Sequence, residues 1–468
     1  MMKYTPYSTS QNYLKMLSTE FAVNRIQTFH PRDQGDILKI VYEAKENGLK
    51  VKYYGGSFPV NKEGADIIVS LGSMRRFICY DPEEQTVTFE GGVTLAEMLQ
   101  NMESLNSTLE IYGIIPNMTI ADAISVGLVG SNGTIANCLK SCQVLHSNGA
   151  VIEWVWPCSR EVPDRISTIP TERSFAPTLQ AMVCGLGVGG IINTATFKCI
   201  PIHLAQEIIY DCPVSDVINN WQQLLEGLYG YMYWYPLLDK VIVKRASSVR
   251  LRLGHLQPWW RKCLETCYWS MHWLVNRASP YLAWYFPSLT RKLSQMQFNL
   301  IMKASSYRMQ HSFQPQLFIS VGSHCRGMKW FLPAEKLQNV VEDIRNWAEL
   351  HFYLCSTPIL IAVQTHQALA FHQPFLCPYT EKKTCTLWTD WFSSRSIISS
   401  YSATMAEFEA LLQKNGGRKC WSAGPVYASP LIGQMYPGFR QWCEKRTILD
   451  PLTLFGSAYV VGDLFVKS

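Results

Sequence analysis

Apolar positions in the first part of the chain fall into two periods that alternate. Over residues 32–47, Ile37, Ile40, Val41 and Ala44 share one face at helical spacing, which predicts a helix. Residues 51–54 then read as a strand that breaks at Gly55-Gly56-Ser57. Strands are expected over 67–71 and 86–90, the second running into Gly91-Gly92, followed by a helix over 95–102 that Thr94 can cap. An extended piece, 111–115, stops at Pro116, and a small-residue stretch with Gly127, Gly130 and Gly133 covers 119–133. Asn148-Gly149 joins two runs, 142–147 and 151–156, as a hairpin. A helix over 179–184 leads through the glycines of 185–190 to a strand over 191–197, closed by Pro201. Short helices interleaved with strands predict an α+β unit over the first 200 residues or so.

The second half has another texture. Between residues 258 and 286 stand Trp259, Trp260, Trp269, Trp273 and Trp284 with Tyr268, Tyr281 and Tyr285. The uncharged runs there, 266–276 and 278–290, fall short of the roughly 20 residues a bilayer crossing needs. Arg261, Lys262, Arg277, Arg291 and Lys292 flank them. Two readings stay open: a helix lying in a membrane interface, and an aromatic core or oligomer surface. Further on, Pro333 opens a helix with Leu337, Val340, Val341, Ile344 and Trp347 on one face, 360–363 is a buried strand, and a helix over 405–414 stops at Gly416-Gly417.

Composition narrows the function. The 468 residues are 47% hydrophobic and 17% charged, so the chain buries large cores in two or three domains. A net charge of +6 without a basic block gives nucleic-acid binding little support and leaves anionic small molecules and membrane surfaces open. Fifteen cysteines without a Cys-x-x-Cys pair read as buried small hydrophobes in a reducing compartment, not as a metal site. The first residues lack the apolar core of a signal peptide, so an intracellular chain is expected, with the sequons at Asn106, Asn117 and Asn132 silent.

The strand-to-glycine turn at Gly55-Gly56-Ser57 is the shape in which backbone N–H groups meet an anion without a Cβ in the way, although such a strand end is most often an ordinary turn. Its flanks change the balance. The helix near Gln11-Asn12-Tyr13, the run Lys52-Tyr53-Tyr54-Gly55-Gly56-Ser57-Phe58-Pro59, Thr86-Val87-Thr88-Phe89-Glu90-Gly91-Gly92, and Ile115-Pro116-Asn117-Met118-Thr119-Ile120-Ala121 occur in order, followed by Leu186-Gly187 and Gly190-Ile191-Ile192. Trp330 to Pro333, Gly416-Gly417-Arg418-Lys419-Cys420-Trp421, Met435-Tyr436-Pro437-Gly438-Phe439 and Leu449-Asp450-Pro451 complete the series. This order resembles the flavoprotein family that includes vanillyl-alcohol oxidase, and within it the aldonolactone oxidases of the L-gulonolactone and D-arabinonolactone type.

The resemblance implies an α+β protein: a PCMH-type FAD-binding domain of two α/β subdomains (1–203), an α+β cap with a mixed or antiparallel sheet (204–415, its aromatic segment 255–302), and a C-terminal segment (416–468) that packs back on the flavin domain. It implies FAD as cofactor. Gly55, Gly56 and Ser57 would line the pyrophosphate, with Phe58 beside the flavin. Thr119 and Asp122, Ala123, Ile124, Ser125 and Val126 would run along the diphosphate, and the Ile191 backbone would hold the adenine end. The substrate of an active member is a small molecule such as a sugar lactone, and association would be peripheral on a membrane of the endoplasmic reticulum type.

The sequence also departs from the family at the positions its chemistry uses. Phe58 replaces the histidine that bonds covalently to flavin, and Asp122 replaces a glycine beside the phosphates. Leu360 and Ala362 stand for a substrate-orienting glutamate and arginine, Cys420-Trp421-Ser422-Ala423 for a His-Trp-x-Lys signature, and Ile114 for a serine. No catalytic residue is carried over. His366 and His372 could replace the missing base, although surface histidines are the more ordinary reading, and burial would keep the Cys420 thiol inert. Two functions are therefore expected: an FAD-dependent oxidoreductase with noncovalent flavin and an altered substrate, or a catalytically inactive relative kept as a binding or membrane-associated module.

Overall fold

The helix expected after Arg32 forms over Gln34–Glu46, with the Asp33 side chain accepting from the Asp36 N–H as its cap and Ile37, Ile40, Val41 and Ala44 buried. Helix Leu95–Ser104 starts in a capping box: Thr94 accepts from the Glu97 N–H while the Glu97 carboxylate accepts from the Thr94 N–H. The computed structural model describes residues 26–56, 62, 64–111, 115–130, 133–155, 180–202, 205–224, 229–248, 259–307, 325–352, 355, 359–364, 374–377, 384–392, 398–421, 426–427, 432–457 and 460–461.

Two small sheets build the N-terminal body. The first is parallel, in the order Gln27–Phe29, Ile67–Ser70, Val51–Tyr54 and Phe455–Gly456. Its last strand comes from the far end of the chain. The buried Asp450 carboxylate accepts from the N–H groups of Leu454 and Phe455 and so sets that strand against Val51. The second sheet is antiparallel, in the order Val151–Val155, Leu139–Leu145, Ile191–Lys198, Thr86–Glu90 and Phe77–Asp81. One hydrophobic core joins them, with Tyr53, Val69, Phe89, Val144 and Phe197 from the sheets and Trp442 and Phe455 from the C-terminal segment.

A seven-stranded sheet forms the second body. Its order is Ala205–Pro213, Lys240–Ser248, Tyr229–Tyr235, Ile359–Gln364, Thr384–Phe392, Cys325–Pro333 and Arg418–Lys419. Every neighbouring pair is antiparallel, which decides between the mixed and antiparallel sheets expected. One face carries Met232, Trp234, Trp330, Leu332 and Leu387 against helix Leu337–Leu350 and residues Phe408 and Leu412 of helix Ile398–Lys414. On the other face Tyr235 and Ile242 lie under Phe298 and Ile301 of helix Thr290–Tyr307.

Several expectations need adjusting. The stretch 119–133 holds a six-residue helix, Ile120–Ser125, because the Thr119 hydroxyl accepts from the Asp122 N–H and starts it. The sequence does not announce strand Phe77–Asp81, because Phe77 and Ile78 are exposed and the run shows no alternation. Pro333 ends a strand; a 3-10 turn, Ala334–Lys336, then leads to the helix, and the helix expected from residue 405 begins at Ile398. The aromatic segment forms one 27-residue helix, Trp259–Tyr285, which pairs with Thr290–Tyr307 across the turn Pro287–Leu289.

Candidate functional site

Strand Val51–Tyr54 delivers Gly55 and Gly56 to a point where three turns meet. Gly56 has φ +122°, a conformation that favours glycine, and a Cβ there would lie 3.2 Å from the Gly72 Cα. On the other side the Gly55 N–H donates to Asp122 Oδ1 at 2.7 Å, and the Thr119 hydroxyl donates to Asp122 Oδ2 at 2.7 Å. Asp122 is wholly buried. Next to it the hydroxyls of Tyr53 and Ser125 are 2.9 Å apart, and burial pushes the Tyr53 hydroxyl well up in pKa, with the Ser125 and Ile192 hydrogen bonds opposing.

The small-residue stretch therefore does meet the glycine turn, by way of Thr119, Asp122 and Ser125. Ala123, Ile124 and Val126 lie in or at the end of the buried helix, whose backbone is largely engaged: the Ile124 and Ser125 carbonyls accept from Cys184 and Leu186. Ile191 starts a central strand next to Gly190, which has φ +137°. Ser57, Phe58, Ile114, His366, His372, Ser422 and Ala423 lie outside the described residues.

A second constellation lies where the seven-stranded sheet meets the N-terminal body. Leu360 pairs with Trp388, and Trp388 with Lys329; two residues along, Ala362 pairs with Thr386, and Thr386 with Phe331. By backbone register, Leu360 and Ala362, where the resemblance implies a charged pair, stand in the same cross-strand rows as Lys329 and Thr386. Lys329 is 4% exposed. Its ammonium donates to the Val129 carbonyl at 3.2 Å and lies 5.6 Å from the ring centres of both Phe331 and Trp388. Burial lowers its pKa, with Cys420 opposing. The Thr386 Oγ1 is buried and makes no hydrogen bond.

Around this pair Val129, Phe331, Cys377 and Cys420 form one apolar cluster. Burial raises the Cys184 thiol well above its usual range, an effect that Cys377 and Cys420 reinforce, so it is an inert packing group. Trp421 is structural: its indole N–H donates to the Leu376 carbonyl at 2.9 Å, and its ring stacks on Tyr436 at 5.0 Å. Sequence reading missed Lys329 altogether. The available signal was a lysine inside Met328-Lys329-Trp330-Phe331-Leu332, a run with no solvent-facing phase to account for it.

A parallel sheet and an antiparallel sheet sharing one core, joined to a broad antiparallel sheet with helices on it, define a two-body oxidase fold of the PCMH type. A solvent-stable cholesterol oxidase superposes with TM-score 0.69 at 14% identity over 93% of this chain and 94% of its own. A cholesterol oxidase from B. sterolicum gives 0.68 at 13% over 94% of each. These likenesses concern the fold. Residues 27–154 match the FAD binding domain model, and residues 195–462 match the D-arabinono-1,4-lactone oxidase model. The chain belongs to the D-arabinono-1,4-lactone oxidase family, and the cofactor of its N-terminal domain is FAD. L-gulonolactone oxidase of Mus musculus is 21% identical over 92% of this chain and 93% of the relative. D-arabinono-1,4-lactone oxidase of Yarrowia lipolytica is 23% identical over 58% of this chain and 50% of its own.

The backbone at the Gly55–Gly56 turn suits a flavin dinucleotide, and the buried Thr386 hydroxyl and Lys329 ammonium suit polar atoms at its reactive end. Among the described residues at the turn, the Asp122 carboxylate is the group whose charge, when ionised, would oppose a diphosphate.

Proposed function

We propose that this chain is an FAD-dependent oxidoreductase of the aldonolactone oxidase type that holds its flavin without a covalent bond and accepts a substrate other than the sugar lactones for which its relatives are named. The observation that carries this reading is Lys329, a lysine kept out of water on the sheet face that meets the FAD-binding body. An ammonium in such surroundings is costly, and sites that handle developing negative charge are where such groups persist. Bound FAD supplies a two-electron acceptor for oxidation of a CH–OH carbon. Gly55, Gly56, Ser57, Thr119 and the Ile191 backbone would hold it. Phe58 offers no nitrogen for a covalent link, and the sequence carries no charge at Leu360 and Ala362 to orient a polar substrate, which favours a less polar alcohol.

The test is purification of the full chain. Absorbance near about 450 nm, with flavin released into the supernatant on acid precipitation, is expected. Anaerobic bleaching by members of a panel of lactones and apolar secondary alcohols should follow. A colourless protein that takes up no added FAD overturns the reading. The replacements at Leu360, Ala362 and Cys420 favour a second reading, a scaffold without turnover; its mark is flavin that dithionite bleaches and no alcohol does.

The same proposal includes a membrane surface. No described helix is long and apolar enough to cross a bilayer. Helix Trp259–Tyr285 nonetheless exposes Trp259 (78%), Leu274 (62%) and Tyr285 (72%), with Trp273 half-exposed under the Arg277 guanidinium at 5.2 Å. Arg261, Lys262, Arg277, Arg291, Lys292 and Lys303 face only one acidic residue in the hairpin, Glu265, which suits anionic headgroups. The protein is expected to float with phosphatidylserine vesicles at low salt, and Trp259→Ala with Leu274→Ala to lose most of that binding. Failure of the unaltered protein to float removes the membrane from the proposal.

A further inference from the structure

We propose that Asp122 is a specificity-determining residue: its carboxylate holds the anion position of the Gly55–Gly56 turn from within the chain, weakening the grip on a diphosphate and narrowing the preference for FAD over riboflavin. The inference rests on the flavin reading only for the identity of the ligand.

The geometry is that of an anion seated at a glycine turn. Gly55 N–H donates to Asp122 Oδ1 at 2.7 Å, a short charge-assisted contact, and Thr119 O–H donates to Oδ2 at the same distance. The Thr119 oxygen also accepts from the Asp122 N–H at 3.3 Å, so its own proton is directed to the carboxylate. Both carboxylate oxygens thus lie within hydrogen-bond distance of a donor, an arrangement that favours the ionised form. A Cβ on Gly55 would fall 1.5 Å from Thr119 Oγ1 and 2.6 Å from Asp122 Oδ2, so the space beside this glycine is filled by the chain itself. The turn still has the shape that receives phosphate, but its first amide is engaged by a buried carboxylate, which carries a negative charge there when ionised. A diphosphate brought alongside meets like charge in a medium of low dielectric. Riboflavin, with a hydroxyl in place of the diphosphate arm, meets none.

Asp122→Asn keeps an oxygen for the Gly55 N–H and removes the charge, so it tests electrostatics while preserving the turn. In fluorescence titrations of the full chain, with bound flavin first removed, the variant is expected to bind FAD and ADP at least about tenfold more tightly, and riboflavin within about twofold of the unaltered protein. Equal effects on FAD, ADP and riboflavin, or none, would show that the carboxylate only ties the turn and would overturn the proposal. The unaltered protein provides a test that does not depend on the variant folding: its FAD affinity should exceed its riboflavin affinity by less than about tenfold, and a ratio in the hundreds refutes the inference. The two proposals separate cleanly. An unaltered chain that binds no FAD while Asp122→Asn binds it defeats the oxidoreductase reading and upholds this one, and an unaltered chain with a large FAD-to-riboflavin ratio does the reverse.

Discussion

Lys329→Met is expected to lower the rate of substrate oxidation by about 100-fold or more while leaving the protein as stable as before or more so. The two effects share one cause. The lysine side chain is buried between the Phe331 and Trp388 rings, with the Val129 carbonyl as an acceptor, and burial lowers its pKa. Methionine fills similar volume without a charge to desolvate, and replacing buried charges by apolar groups is commonly neutral or stabilising by about 1–4 kcal/mol. The Val129 carbonyl loses a donor, which offsets part of that gain. If the cation serves the reaction, activity falls as the melting temperature holds or rises. Rates and thermal denaturation measured on the same preparation decide the matter: an unchanged rate with a lower melting temperature would make Lys329 a structural tie between the two bodies.

Gly92→Ala should be the most damaging single methyl group in the N-terminal body. A Cβ on Gly92 would lie 1.9 Å from the Leu71 carbonyl oxygen and 2.6 Å from that of Met74. Both are backbone atoms, so no rotamer change relieves the contact. Gly92 follows strand Thr86–Glu90 of the antiparallel sheet, and Leu71 follows strand Ile67–Ser70 of the parallel one. The methyl group would pry the two sheets apart at the core they share. A cost above about 4 kcal/mol, beyond ordinary overpacking, is expected, enough to leave much of the chain insoluble or to lower its melting temperature by many degrees. Gly48→Ala serves as the control, because a Cβ there meets nothing within 4 Å and only its φ of +65° resists the change. Soluble Gly92→Ala protein with an unshifted transition would mean that the two sheets are not wedged at this point.

Legibility in the sequence followed the range of the interactions. Thr94 and Glu97, three residues apart, announce the start of a helix because cap and backbone meet within one turn. Asn148-Gly149 announces the hairpin because the turn needs a positive φ, which Gly149 adopts at +84°. The run Tyr229–Tyr235 announced nothing: Met232 and Trp234 pack in one core and Tyr235 in another, so no polar phase alternates with an apolar one. Asp122 lay in between. The sequence marked it as a charge out of place at the glycine turn, but its direction depended on Gly55, 67 residues away.

The sequence by itself thus determined the caps, the glycine turns, the helical faces and, through the order of its motifs, the family and its FAD-binding fold. Tertiary structure alone decided that Lys329 joins the rows of Leu360 and Ala362 through strands pairing at a distance, and that the Asp122 carboxylate turns into the Gly55 amide. Caps and turns are settled by atoms a few residues apart, which any reader of the chain can see. What a charge does depends on which distant backbone comes to lie beside it and on how much water folding removes.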